Sequence, residues 1–277
     1  MRLGRAKGMT TVEWPSLNEI DGDKLSSARR LAHNAMHWLV RFTSSYGEPE
    51  LVGNQPPLVW NTRESAIETQ RFLDTYSVEL RIAPLELQFR EDGALVPHTL
   101  GLEEHTPAHV EAWVLVELLH RGIDRSRFST DLPYSPNDLM TGDHEEYEPK
   151  AYARELAAID QSLRAGATVI EALHRQLSGT AGGTSLSCWP DLFQIGFEID
   201  LPPGSGSKKL RIGIAPGDGV RTEPYFFVGT EQQAQTAGFT RDCVVPLRNA
   251  ASEGMDAGSA VALLAEIIAS QKKRLAG

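Results

Sequence analysis

Tyr76-Ser77-Val78-Glu79-Leu80-Arg81-Ile82, then Leu85-Glu86-Leu87-Gln88-Phe89-Arg90, then Asp92-Gly93, form the most regular pattern in this chain. Apolar and polar residues alternate with period two in both runs, the signature of strands with one face toward a core. Pro84 separates the runs, because a residue without an amide hydrogen interrupts a ladder. Asp92-Gly93 is a pair that tolerates positive φ, so it predicts a hairpin into a third strand over residues 94–100.

Helices flank these strands. Residues 24–44 carry Leu25, Ala28, Leu31, Ala32, Ala35, Met36, Leu39 and Val40 at helical spacing, with Asp21 or Asp23 as the cap. Residues 57–60 read as a short strand. Residues 107–121 read as a helix opened by Thr106 and Pro107 and closed by Gly122. Downstream, residues 149–177 are helical with an interruption near Gly166, and residues 186–201 form a long or bent strand pair. Strands follow over 209–214, 225–229 and 242–247, and an amphipathic helix over 256–275 closes the chain. The order predicts an α+β fold with two similar helix, antiparallel sheet, helix halves, residues 11–123 and 149–277. Such similarity reads as a degenerate internal duplication of about 120 residues. Residues 124–148, rich in Asp, Ser, Pro and Glu, are the expected connecting loop or lid, since a loop beyond about 12–15 residues usually has a role of its own.

Composition narrows the function classes. A chain of 277 residues, 41% hydrophobic, can bury a core as one large domain or two small ones. Cys188 and Cys243 are too few for a disulfide framework, which predicts reduced thiols and a cytoplasmic address. The longest apolar run, residues 260–269, falls far short of the roughly 20 residues a membrane span requires, so no membrane is expected. A net charge of -10 opposes attraction to phosphate backbones, and no nucleic-acid partner is expected. Lys272-Lys273-Arg274 is a basic helix end that complements the helix dipole. Arg2, Arg5 and Lys7 precede no apolar stretch, so residues 1–10 are not a signal peptide; they are expected to be loosely held, with Met9 an alternative start.

Rings, turns and acids concentrate in Cys188-Trp189-Pro190-Asp191-Leu192-Phe193, Pro216-Gly217-Asp218-Gly219 and Glu223-Pro224-Tyr225-Phe226-Phe227. With His144-Glu145-Glu146-Tyr147 from the long connection, they suggest a cleft near the junction of the halves, where His144, Tyr147, Trp189, Asp218 and Glu223 bind a small organic ligand. In an enzyme His144 would be the general acid or base, with Glu223 or Asp218 polarising it or the substrate. The plainer alternative is core rings and turn-forming acids. Two other function classes stay open: a protein-interaction or scaffold module whose acidic surface meets a basic partner, and a metal-dependent hydrolase using His33 and His37, one turn apart. His105 and His109 share that spacing across a helix start and read as surface imidazoles. The Gly/Thr/Ser tract at 178–185 lacks the lysine of a phosphate loop and precedes a strand, so it reads as a connector. No nucleophile elbow, paired-cysteine motif or dinucleotide fingerprint occurs, and no cofactor is expected.

Several of these residues resemble a bacterial domain-of-unknown-function family, the DUF numbered fifty-nine ninety-six. Trp14-Pro15-Ser16-Leu17 is similar to its opening Trp-Pro-x-Leu, and His144-Glu145-Glu146-Tyr147-Glu148-Pro149 to its His-x-x-Tyr-Asp-Pro. Ile212 to Val228, with Pro216-Gly217-Asp218 and Glu223-Pro224-Tyr225-Phe226-Phe227, resembles its Trp-Pro-Gly-Asp and Glu-Pro-x-Phe-Tyr pair. Gly179-Thr180 stands where that pattern has Gly-Lys, and Leu192-Phe193 where it has Phe-Asp, so this chain resembles a divergent member. The resemblance implies a fold and a bacterial origin, and no activity.

Overall fold

A computed structural model of the chain describes residues 12–48, 58–179, 185–201, 209–236 and 238–276. It is an α+β fold. The first elements in chain order are α1 (Gly22–Tyr46), β1 (Leu58–Asn61), β2 (Ala66–Thr69), β3 (Tyr76–Arg81), β4 (Glu86–Glu91), β5 (Ala94–Leu95), β6 (Leu100–Gly101) and α2 (Pro107–His120). Then come α3 (Ala153–Ser178), β7 (Leu186–Trp189), β8 (Gln194–Asp200), β9 (Lys209–Ala215), β10 (Tyr225–Gly229), α4 (Glu231–Gln235), β11 (Val244–Pro246), α5 (Leu247–Ser252) and α6 (Ala257–Ala276). The two stretches of chain differ in their order of elements, and the duplication expected from the sequence is not shown. The compact units also differ from the expected halves 11–123 and 149–277. The first unit takes the described residues of Ile20–Asp160 and Ser185–Ile195; the second takes those of Met1–Glu19, Gln161–Thr184 and Gly196–Gly277. Residues 124–148 therefore lie inside the first unit rather than joining two.

In the first unit the strands pair in the order β7-β1-β2-β3-β4, antiparallel throughout, with β5 and β6 both on β4. The expected hairpin forms: Asp92 and Gly93 adopt φ 50° and 80°, and Arg90 faces Leu95 across the turn. The expected third strand is broken into β5 and β6, with His98 between them at φ 73°. In β3 and β4 the polar positions are buried as well as the apolar ones, so Ser77, Glu79, Gln88 and Arg90 lie inside.

Helix α1 lies against β1, β2 and β3. Asp21 Oδ1 caps it, accepting from the amides of Asp23 (2.9 Å) and Lys24 (3.0 Å). Asp21→Ala is expected to lower stability by about 1 kcal/mol, read from the urea midpoint; an unchanged midpoint would remove the cap from the account. The helix is also buried where no apolar stripe was visible, at Asn34, His37, Arg41 and Thr43. Residues 124–148 cause this, running along α1 as a strap. Asn34 Nδ2 donates to Asp138 O (3.2 Å), Asn34 Oδ1 accepts from Met140 N (2.8 Å), and Tyr46 Oη donates to Asp124 O (2.9 Å). Helix α2 starts where predicted, at a Thr106 cap, and the exposed His109 accepts from Thr106 N (3.5 Å) to complete a capping box.

In the second unit β9 and β10 pair along their length, β11 adds to β10, and α6 lies on β10. Trp14 meets Phe226 edge to face at 6.2 Å and donates to Met255 O (2.7 Å). The interruption expected near Gly166 does not occur. A side chain there would meet Ile214 Cδ1 at 2.0 Å, so glycine serves the close approach of helix and strand while α3 continues through it. Residues 1–10, 180–184 and 202–207 lie outside the described residues.

Candidate functional site

A cavity of about 500 Å³ lies in the first unit. Trp38 and Arg41 of α1 wall one side, Pro107, Ala108 and Glu111 of α2 a second, and the strap from Thr130 to Gly142 the rest. The strap is tied at both edges of the opening. Arg41 Nε donates to Thr130 O (2.9 Å), and Ala108 N donates to Gly142 O (3.2 Å).

Arg41 is the unusual group. Its residue is 5% exposed, yet no carboxylate lies within ion-pair distance of it among the described residues. The guanidinium sits 4.2 Å above the Trp38 ring, and Trp38 Nε1 donates to Tyr147 Oη (3.2 Å), which fixes the platform. Burying an unpaired cation costs several kcal/mol, and a desolvated cation–π contact returns about 2 or more of it. Burial pulls the Arg41 pKa down, and the charges of Tyr147 and of Glu111 on the cavity wall act against that. The terminal nitrogens of Arg41 make no hydrogen bond among the described residues.

A second line of polar groups continues from Arg41. His33, His37 and Arg41 recur every four residues, and the His37 ring lies 4.6 Å from that of His33 and 5.8 Å from that of Tyr134. Both His37 nitrogens and the Tyr134 hydroxyl are buried without a hydrogen-bond partner among the described residues. Burial drives the His37 pKa from 6.5 to about 2, with His33 and Arg41 adding repulsion, so the ring is neutral. Burial likewise lowers His33 and raises the Tyr134 phenol. His33 Nε2 donates to Pro190 O (2.6 Å). With that nitrogen engaged, and no carboxylate or thiol grouped with the two rings among the described residues, His33 and His37 do not make a three-ligand metal centre.

The five residues expected to share a cleft have separate roles. Tyr147 is 1% exposed, bonded to Trp38, and its pKa is pushed up by burial to about 12. It supports the cavity wall from behind. His144 is exposed on the strap, and Trp189 is buried in β7. Asp218 and Glu223 belong to the second unit. Asp218 accepts from the amides of Val220 (2.7 Å) and Arg221 (2.6 Å) and from Tyr225 Oη (2.5 Å), which makes it the lock of a turn. Glu223 is paired with Arg248 through two hydrogen bonds. Both acids are satisfied within their own unit, and the cavity of the first unit is lined instead by residues that include Trp38, Arg41 and Tyr134. Sequence reading passed over Arg41 and Tyr134. The available signal was an arginine one turn beyond His37, following Trp38, Leu39 and Val40 in the apolar half of the helix.

The thiols are equally plain. Cys188 and Cys243 are free and buried, and burial raises the Cys188 pKa. Among the described residues, no helix is long and apolar enough to cross a membrane. Models of known protein families, curated proteins and solved structures give no match to this chain.

Proposed function

We propose that the protein binds a small organic anion in the cavity between α1, α2 and the strap, with Arg41 as the anchor. The observation that carries this reading is the buried guanidinium whose terminal nitrogens are unspent among the described residues. A carboxylate or phosphate oxygen pair matches the planar fork of arginine, and charge-assisted bonds of this kind are strong where water is scarce. Trp38, Leu132 and Leu139 offer apolar surface to the body of the ligand, and Glu111 and Asp131 suit a donor at its far end. The ligand is thus an organic acid carrying an amine or hydroxyl.

The free buried thiols support a cytoplasmic protein. The Trp14-Pro15-x-Leu17 and Glu223-Pro224-x-Phe226 segments support a divergent member of the family they resemble.

A thermal-shift screen of small carboxylates and phosphate esters tests the anchor. A ligand at 100 times its dissociation constant adds about 2.7 kcal/mol of stability. Arg41→Gln is expected to weaken the best hit at least tenfold, about 1.4 kcal/mol, while His144→Ala leaves it unchanged. Silence across the acids, or equal binding by folded Arg41→Gln protein, would remove the proposal.

A further inference from the structure

The chain offers a second grouping of donor atoms that the cavity does not use. His98, Glu117 and His120 each present one ligand atom, and these three atoms lie within 4.8 Å of one another. We infer that they form a binding site for one divalent transition-metal ion of the zinc class.

The donor set argues for the class of ion. Two imidazole nitrogens and one carboxylate oxygen suit zinc and its neighbours, whereas magnesium and calcium take oxygen ligands. Spacing argues for the geometry. His98 Nδ1 stands 3.3 Å and His120 Nδ1 3.6 Å from Glu117 Oε1. Ligands at about 2.0–2.2 Å around a tetrahedral ion are separated by roughly 3.3 Å, so the ion would need only a small adjustment of the rings.

The surroundings hold the ligands in place. Glu117 is buried, and its other oxygen, Oε2, accepts from Arg121 Nη1 (2.6 Å), which orients Oε1 toward the two histidines. His120 is in the last turn of α2, three residues after Glu117 and therefore on the same face. His98 comes from the segment between β5 and β6, where Gln88 grips both sides through Val96 O and Thr99 Oγ1. His98 itself is held at φ 73°, a conformation a residue other than glycine rarely adopts without a compensating contact. The imidazole side chains are 63% and 54% exposed, so three protein ligands leave a coordination position open to solvent. The adjacent Arg121 cation repels the incoming ion and weakens its binding.

Equilibrium dialysis of the full chain, without a histidine tag, against zinc chloride provides the test, with metal content measured afterwards. About one zinc per chain is expected at saturation, undisturbed by an equal concentration of magnesium or calcium. His98→Ala and His120→Ala should each weaken binding at least tenfold, and the double variant should abolish it. The substituted rings are exposed, so circular dichroism should match the parent protein. Cobalt in place of zinc should give the visible absorption of a four-coordinate site, lost in the same variants. His105→Ala/His109→Ala is the control that should bind normally. The inference is overturned by the absence of saturable binding tighter than about 100 µM, or by binding that survives in the double variant.

Discussion

Glu79→Ala is expected to cost about 3–5 kcal/mol of folding stability, the largest effect of any single substitution considered. Glu79 lies in the middle of β3 with no exposed surface, opposite Gln88 of β4. Its two oxygens accept from Arg81 Nε (3.0 Å) and Arg90 Nε (2.6 Å). The Arg90 side chain is 8% exposed, its Nη2 has only Glu64 at 3.7 Å, and its Nη1 donates to Gly93 O (2.7 Å). Removing the carboxylate leaves a buried cation whose remaining carboxylate, the partly exposed Glu64, stands 3.7 Å away, which is costlier than the loss of an exposed ion pair. Replacing both partners is different, because an apolar pair of similar volume removes the desolvation cost along with the attraction. Glu79→Met/Arg90→Met should recover most of the loss. Urea unfolding of the two single variants and the double variant checks this, and a single-variant cost under about 1 kcal/mol would mean that water reaches the pair.

Acid should destabilise the protein through His37. Its folded pKa is depressed by burial from 6.5 to about 2, so between those values the unfolded chain binds a proton that the folded chain excludes. Stability therefore rises with pH across this window, and is lost as pH falls below 6.5. The slope grows toward about 1.4 kcal/mol per pH unit as the unfolded ring becomes protonated, which gives a loss of about 2 kcal/mol between pH 6.5 and 4.5. His33, also lowered by burial, adds in the same direction. His37→Leu should flatten this part of the profile in urea titrations at pH 6.5 and 4.5. Equal slopes for the two proteins would show that the ring is solvated when folded. The same burial, maintained by the strap, keeps His37 neutral beside Arg41, so the proposed ligand site and acid stability depend on one piece of packing.

Elements with local causes were legible. The caps at Asp21 and Thr106, the turn at Asp92-Gly93 and the stop at Gly122 act within a few residues of themselves. Period-two alternation located β3 and β4 for the same reason. Strand β2 was missed because it is four residues long and enters through Ser65 at φ 54°, a conformation no composition rule announces. Helices α4 and α5 are five and six residues long, below the length at which a period can be counted.

The candidate site was nearly invisible for a different reason. Arg41 and Thr130 are 89 residues apart, and an arginine at the edge of an amphipathic helix ordinarily lies in water. Asp218 and Glu223 attracted attention because acids cluster at turns, and the structure uses them as turn locks and ion-pair partners. Short-range chemistry in the sequence alone was enough to determine the α+β class, the principal helices and the first hairpin, since each depends on neighbours a few positions away. Only the tertiary structure decided which polar groups lie inside, because that depends on residues 124–148 running back along α1 and turning a solvated stripe into the wall of a cavity.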